Sequence, residues 1–175
     1  RFSVVRYGNV FNSRGSVFPI FKNALETNKK YFPITHPEMT RFIITLNEGI
    51  DFVIKSFERM HGGEIFIPKI KSLKILDLAK VMDAKKKIKY LGVRPGEKLH
   101  EFLFSSDETK LIYEFSRHYV LAPAIIFTNN AKKSYSKNRL GEKGKRLKNS
   151  FNYSSNKNFL NKKEIEKLIY NSKIL

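Results

Sequence analysis

Short apolar runs alternate with amphipathic helical spacing over residues 1–128, and that alternation restricts the chain to an α/β fold. Arg1 to Val5 reads as a strand. A loop from Tyr7 to Gly15 leads to a helix that Ser16 can cap, with Val17, Ile20, Phe21, Ala24 and Leu25 on its apolar side. Phe42-Ile43-Ile44 is another strand run. Thr45 with Glu48 marks a capping box for a helix reaching Arg59, whose Ile50, Val53, Ile54 and Phe57 fall at helical spacing. His61-Gly62-Gly63 ends that helix, because glycine accepts the left-handed backbone without a Cβ penalty. Glu64 to Pro68 reads as a strand, and Ser72 as the cap of a helix carrying Leu73, Leu76, Leu78, Ala79 and Met82. Ile88 to Val93 reads as a strand that Arg94-Pro95-Gly96 turns into a helix through about Phe104. His118 to Phe127 is a further apolar run. Beyond Asn129 the chain is polar and basic, and order is expected only in a short closing helix over Lys163 to Leu168.

The formal net charge is +18, and more than half of the excess lies between Asn129 and Leu175. Basic stretches attract phosphate-bearing partners. This tail is also rich in Asn and Ser, and the whole chain favours Lys, Ile, Asn and Phe, a bias that AT-rich coding produces without any anionic ligand. Nucleic acid is therefore not expected as a partner. With no cysteine, disulfides and thiolate metal sites are excluded. His36, His61, His100 and His118 show no metal-ligand spacing, so no metal is expected. No apolar run approaches the roughly 18 residues of a membrane span, and the expected location is the cytoplasm, with no membrane contact. The opening strand has no earlier element to pair with, which suggests a truncated chain. Without such a neighbour Phe2, Val4, Phe18 and Phe21 would lose part of their cover.

Three clusters carry polar groups suited to ligands. Arg6-Tyr7-Gly8-Asn9 follows a strand, and an asparagine amide offers both donors and an acceptor to a phosphate or a sugar hydroxyl. Asn12-Ser13-Arg14-Gly15-Ser16 then enters a helix N-terminus, whose free amides suit anions. The same residues serve equally well as an ordinary capped turn. Arg94-Pro95-Gly96-Glu97-Lys98 pairs a guanidinium, able to grip a diphosphate in bidentate fashion, with a carboxylate able to accept from ribose hydroxyls. Alone, that motif reads as a surface ion pair beside a turn. Thr35-His36-Pro37-Glu38-Met39-Thr40-Arg41-Phe42 mixes hydroxyls, an imidazole and an arginine, with His36 read as a loop residue. Tyr153-x-x-x-Lys157 matches a short-chain dehydrogenase proton-transfer pair in spelling, but it sits in a polar segment and is read as a chance match.

Taken in order, Val5-Arg6-Tyr7-Gly8-Asn9-Val10, Ser13-Arg14-Gly15-Ser16-Val17, Pro33-Ile34-Thr35, Met39-Thr40-Arg41-Phe42, Glu64-Ile65-Phe66-Ile67-Pro68 and Arg94-Pro95-Gly96-Glu97-Lys98-Leu99-His100-Glu101 form a specific series. The series resembles the inverting UDP-N-acetylglucosamine 4,6-dehydratases of the extended short-chain dehydrogenase/reductase superfamily, which serve bacterial surface glycans such as pseudaminic acid. The resemblance extends to Phe151-Asn152-Tyr153-Ser154-Ser155 and Phe159-Leu160. It implies the C-terminal part of a Rossmann-type fold, with the last parallel strands and a small substrate-binding subdomain. Residues 1–128 would interleave the end of an NADP-binding sheet with the UDP-sugar subdomain, and 129–175 would form the basic tail. It also implies that Asn9, Val17, Thr35, Arg94 and Glu97 touch UDP-N-acetylglucosamine. Val10, Phe11, Asn12, Ser13 and Arg14 would line the nicotinamide side of NADP. A homo-oligomer is expected by the same analogy.

The family's Gly-rich dinucleotide loop, its Asp-Lys acid/base pair and its Tyr-x-x-x-Lys helix would all precede Arg1. No catalytic residue is therefore assigned in this chain, and most NADP contacts are expected to lie outside it. The family chemistry oxidises the sugar C4 hydroxyl, eliminates water across C5 and C6, and returns the hydride to C6 with inversion at C5. A related 4-epimerase or retaining 4,6-dehydratase shares the nucleotide-clamp logic. A non-catalytic module binding nucleotide sugar or nucleic acid is the reading from another class.

Overall fold

The structure, a computed structural model, describes residues 1–125 and 134–172. Ile126 and Phe127 of the expected apolar run, and Asn129 to Lys133 of the expected tail, lie outside the described residues. In chain order come β1 (Val4–Val5), β2 (Asn9–Val10), α1 (Val17–Glu26), β3 (Tyr31–Ile34), β4 (Thr40–Ile44) and α2 (Leu46–Arg59). They are followed by β5 (Ile65–Pro68), β6 (Ser72–Lys74), α3 (Ile75–Met82), β7 (Lys87–Tyr90) and β8 (Phe102–Phe104). A 3-10 turn over Asp107–Leu111 precedes β9 (Ile112–Glu114), β10 (His118–Leu121), β11 (Lys145–Arg146), β12 (Tyr153–Ser154) and α4 (Lys162–Ser172). The contacts divide these elements into two compact units, one of Arg1–Tyr7, Leu46–Lys69 and Phe102–Tyr153, the other of Gly8–Thr45, Ile70–Glu101 and Ser154–Leu175.

The first unit is built on a five-stranded sheet in the order β1-β5-β10-β9-β11. β1 runs parallel to β5, with Val4 opposite Ile65, and the remaining pairs are antiparallel. Phe66, Phe115, Val120, Ala122 and Tyr135 form its core, with Phe52 and Met60 from the α2 side packed on them. Glu64 is fully buried, and its carboxylate accepts from the His61 and Gly62 amides and the Ser3 hydroxyl. Both Gly62 (φ +109°) and Gly63 (φ +93°) take the left-handed backbone that this chain reversal needs.

The apolar spacing on α2 gives the helix but not its buried face. Gly49 and Ser56 are the buried positions, whereas Ile50, Val53, Ile54 and Phe57 are exposed. The helix lays Phe52 against the sheet, and the Ser56 hydroxyl is hidden by donating to the Phe52 carbonyl at 2.7 Å. Phe2 and Val4 are exposed as expected, but Phe18 and Phe21 are not.

Those two phenylalanines belong to the core of the second unit, together with Phe11, Phe32, Ile34, Leu73, Leu78 and Ile165. Phe11 and Phe18 rings lie 4.6 Å apart, and Phe21 and Phe32 rings 4.7 Å apart. Two small sheets frame this core: β2-β4-β6, with β2 parallel to β4, and the parallel pair β3-β7. The stretch Asn9-Val10, expected as loop, is thus strand, because the Phe11 amide and the β4 backbone complete its ladder. Ser72 is not a helix cap. Its backbone is taken by Phe42 of β4 and by residues 158–160, so α3 cannot begin before Ile75.

Residues 134–172 are more ordered than their polarity suggests. Tyr135, Asn138, Ser154 and Ser155 are buried, and α4 packs on α3. Asn138 accepts from the Leu140 and Glu142 amides, so its polarity serves the backbone rather than the solvent. Among the described residues no helix is long and apolar enough to cross a membrane.

A Cβ on Gly8 would lie 2.4 Å from the Phe42 Cβ and 2.6 Å from its carbonyl oxygen. Gly8→Ala should therefore cost about 1–3 kcal/mol in urea unfolding, the usual range for forced overpacking. His118, 2% exposed, has its pKa lowered from 6.5 to about 4, first by burial and then by the Arg59 charge, with Lys69 adding and Glu142 opposing. Its neutral form is the one the native state favours. The associated stability is complete above pH 6.5 and is lost as pH falls toward 4. Urea midpoints measured at pH 7, 5.5 and 4 (chosen at roughly these two limits) should fall, and His118→Phe should flatten that decline.

Candidate functional site

A cavity of about 330 Å³ opens within the second unit. Asn9 and Val10 of β2, Phe11, Ser16, and Val17 and Ile20 of α1 form one part of its wall. Thr35 after β3, Arg41 of β4, and Leu91, Arg94 and Glu97 after β7 form another. Thr35 and Leu91 directly follow the carboxyl ends of two parallel strands, the edge at which open α/β sheets receive ligands. Seven of the ten residues singled out in the sequence thus meet on one cavity: Asn9, Val10, Phe11, Val17, Thr35, Arg94 and Glu97. Asn12, Ser13 and Arg14 are exposed and do not line it. Asn12 takes φ +62° at the turn that the Ser13 amide closes onto the Val10 carbonyl.

The segment Arg94–Glu101 is not a helix. The Glu97 amide donates to the Arg94 carbonyl at 3.0 Å, and the Arg94 amide donates back to the Glu97 carboxylate at 3.1 Å, closing a turn with Gly96 at φ +78°. Arg41, with its side chain 14% exposed, prevents the helix from continuing. Its Nη1 donates to the Lys98 carbonyl at 2.9 Å and the Leu99 carbonyl at 3.3 Å, acceptors that a helix would need for its own ladder. Nη2 lies 3.5 Å from the Glu97 carboxylate, and Nε 3.6 Å from that of Glu101. The Thr35 hydroxyl approaches Glu97 at 3.4 Å. Glu97 is therefore fixed in place, while the Arg94 guanidinium has no ion-pair partner among the described residues. The geometry presents one free cation beside one oriented carboxylate, a combination able to neutralise phosphate and accept from hydroxyls.

Beneath the loop, Ser155 is completely buried. Its hydroxyl accepts from the Glu101 amide at 2.8 Å and meets the Thr40 hydroxyl at 2.8 Å, which in turn contacts His100 Nδ1 at 2.8 Å. The Ser155 amide donates to the Glu101 carbonyl at 2.9 Å. Ser16 occupies the N-cap position of α1 as expected, but its hydroxyl makes no capping bond. That oxygen is buried at the cavity wall with no partner among the described residues. From the sequence Ser16 is expected only as a helix cap, Arg41 only as part of a polar loop cluster, and Ser155 has no assigned role. Arg41 and Ser155 act on partners more than fifty residues away, so no local spacing marks them.

Other sequence motifs resolve into structural roles. His36 Nδ1 accepts from the Glu38 amide at 3.2 Å, tightening its loop. Tyr153 lies in β12, its hydroxyl donating to the Pro68 carbonyl at 3.4 Å and its ring 5.4 Å from those of Phe104 and Tyr119. Residues 153–157 form a strand end and a turn, so Tyr153 and Lys157 share no helix. Among the described residues no cluster of three or more His, Asp or Glu is placed to hold a metal.

The second unit thus combines parallel strand pairs with a cavity that bears a cation and an oriented carboxylate. The chain belongs to the polysaccharide biosynthesis protein family, whose pattern matches residues 1–123. It is 50% identical over 171 residues to UDP-N-acetylglucosamine 4,6-dehydratase (inverting) of Campylobacter jejuni, covering 97% of this chain and 51% of that one. A UDP-glucose 4-epimerase of Rickettsia bellii is 43% identical over 122 residues, 67% of this chain and 36% of that protein. The crystal structure of Pen from Bacillus thuringiensis superposes with a TM-score of 0.81 at 31% identity, covering 99% of this chain and 51% of that one. The chain thus spans about half the length of the curated relatives it matches. The fold is the mixed α/β type expected from the sequence, that of the extended short-chain dehydrogenases.

Ser155→Ala should leave the Glu101 amide unsatisfied at a buried position. The expected loss is about 1–3 kcal/mol, with amide hydrogen exchange at Glu101 accelerated more than at the core amides of Leu73 or Phe32.

Proposed function

We propose that this chain forms the substrate-gripping part of an inverting UDP-N-acetylglucosamine 4,6-dehydratase, a lyase of nucleotide-sugar metabolism. The observation that carries the reading is the meeting of Asn9, Thr35, Arg94 and Glu97 on one cavity, in a chain half identical to a protein of that name. Arg94 neutralises the diphosphate, and Glu97, already steadied by Arg41 and Thr35, accepts from the ribose hydroxyls. Asn9 and Val17 orient the sugar.

NADP is the proposed cofactor, and the chemistry it supplies is acceptance and return of one hydride at the sugar. The residues fit a peripheral share in holding it. Val10 and Phe11 give an apolar wall, and Asn12, Ser13 and Arg14 leave exposed polar side chains beside the same turn. The unit containing the parallel pair β1-β5 then corresponds to the end of the NADP-binding sheet, and the cavity-bearing unit to the UDP-sugar subdomain. No proton-transfer residue is assigned here. This chain's own contribution is positioning, which supplies a substantial part of many rate enhancements. The proposed setting is a cytoplasmic homo-oligomer serving surface glycans of the pseudaminic acid kind.

The test uses the whole protein with NADP and UDP-N-acetylglucosamine, followed by proton NMR. A 4-keto-6-deoxy product with solvent-derived hydrogen at C5 and inverted configuration there is expected. The C4 epimer alone would instead establish the epimerase reading, which the Rickettsia relative keeps in view. In calorimetric titration with UDP, Arg94→Ala and Glu97→Ala should each weaken binding by about tenfold or more. Unchanged UDP affinity in both would remove the clamp from the site.

A further inference from the structure

A second cavity, of about 370 Å³, lies in the first unit among Arg59, Phe115, Ser116, Arg117, His118, Glu142 and Lys143. Its charged groups are unevenly satisfied. Glu142 takes the Arg59 guanidinium through two bonds, to Nε at 2.7 Å and Nη2 at 2.9 Å, and is also held by the Asn138 side-chain amide. The Arg59 bonds come first among the causes that lower the Glu142 pKa from 4.5 to about 2. That pair cancels in charge, yet it leaves Arg59 Nη1 without an acceptor among the described residues, on a side chain only 11% exposed. Arg117 and Lys143 have no carboxylate partner among the described residues. The wall therefore carries two uncompensated cations.

His118 adds a fixed polar group. Its ring stacks on Phe115 with centroids 4.6 Å apart and planes at 10°, and Gly144 lies so flat against Phe115 that a Cβ there would meet the ring at 2.5 Å. His118 is buried (2% exposed), and its Nε2 makes no hydrogen bond among the described residues. A buried polar atom without a partner costs free energy unless something supplies one. None of these groups belongs to the cavity that carries the nucleotide-sugar reading.

We infer that this second cavity binds a dianionic phosphate group, free or as a monoester. Two uncompensated cations match a dianion in charge. The Arg59 Nη1 and the Ser116 hydroxyl provide directional donors for its oxygens, and the His118 ring in the wall reports on their occupancy. Glu142 acts as the positioning group that holds Arg59 in place.

The test is a titration of the whole protein with inorganic phosphate at constant ionic strength, followed through the imidazole NMR signals. Saturable shifts of His118, with His36 and His100 unmoved, are expected. Arg117→Ala combined with Lys143→Ala, both on exposed side chains, should weaken the effect by about tenfold or more. A parallel titration with methyl phosphate separates the two sources: tighter binding marks a monoester site, weaker binding a site for free phosphate. A His118 signal that does not saturate, that moves equally with chloride, or that is unaffected by the double substitution would overturn the inference.

Discussion

The guanidinium of Arg41 is spent on the chain's own backbone and carboxylates. Five donors in a rigid fork suit it to gather the Lys98 and Leu99 carbonyls with the Glu97 and Glu101 carboxylates. A lysine offers a point charge and no such fork. Because those carbonyls are taken, the segment from Arg94 to Glu101 cannot coil into a helix. It stays as a turn that sets Glu97 on the cavity wall and leaves Arg94 with no ion-pair partner among the described residues. The site's division into a held carboxylate and a free cation thus rests on one side chain in β4.

Support for that turn comes from a residue far along the chain. Ser155 ties Thr40 to Glu101 through a buried hydroxyl and through its own amide. Its neighbourhood in sequence is polar and basic, which hides how thoroughly it is buried. Asn138 repeats the lesson in the other unit, where a polar side chain satisfies two backbone amides and helps hold Glu142. In both cases polar residues substitute for regular secondary structure in satisfying the backbone.

The apolar stripe on α2 illustrates the opposite limit of pattern reading. Helical spacing of Ile50, Val53, Ile54 and Phe57 establishes the helix, yet the face turned to the sheet is the one with Gly49, Phe52 and Ser56. Spacing records that a face is apolar and says nothing of which surface covers it. Phe18 and Phe21 show the converse. They were expected to need a neighbouring sheet, and they find Phe11 and Phe32 within their own unit.

The α/β class, the four helices, the strands β1, β4, β5, β7 and β10, the family, and seven residues that converge on the cavity were legible along the chain. These are carried by local spacing, glycine positions and an ordered series of short motifs, all of which survive in one dimension. Contacts between distant segments settle that Arg94–Glu101 is a turn, that Ser72 is strand, that residues such as Tyr135, Asn138 and Ser155 are buried, and that Arg41, Ser16 and Ser155 matter to the site. They also assemble Arg59, Arg117, His118 and Lys143 around a second cavity. Each of those outcomes depends on a hydrogen bond or packing contact between segments distant in sequence, and such contacts leave no periodic trace along the chain.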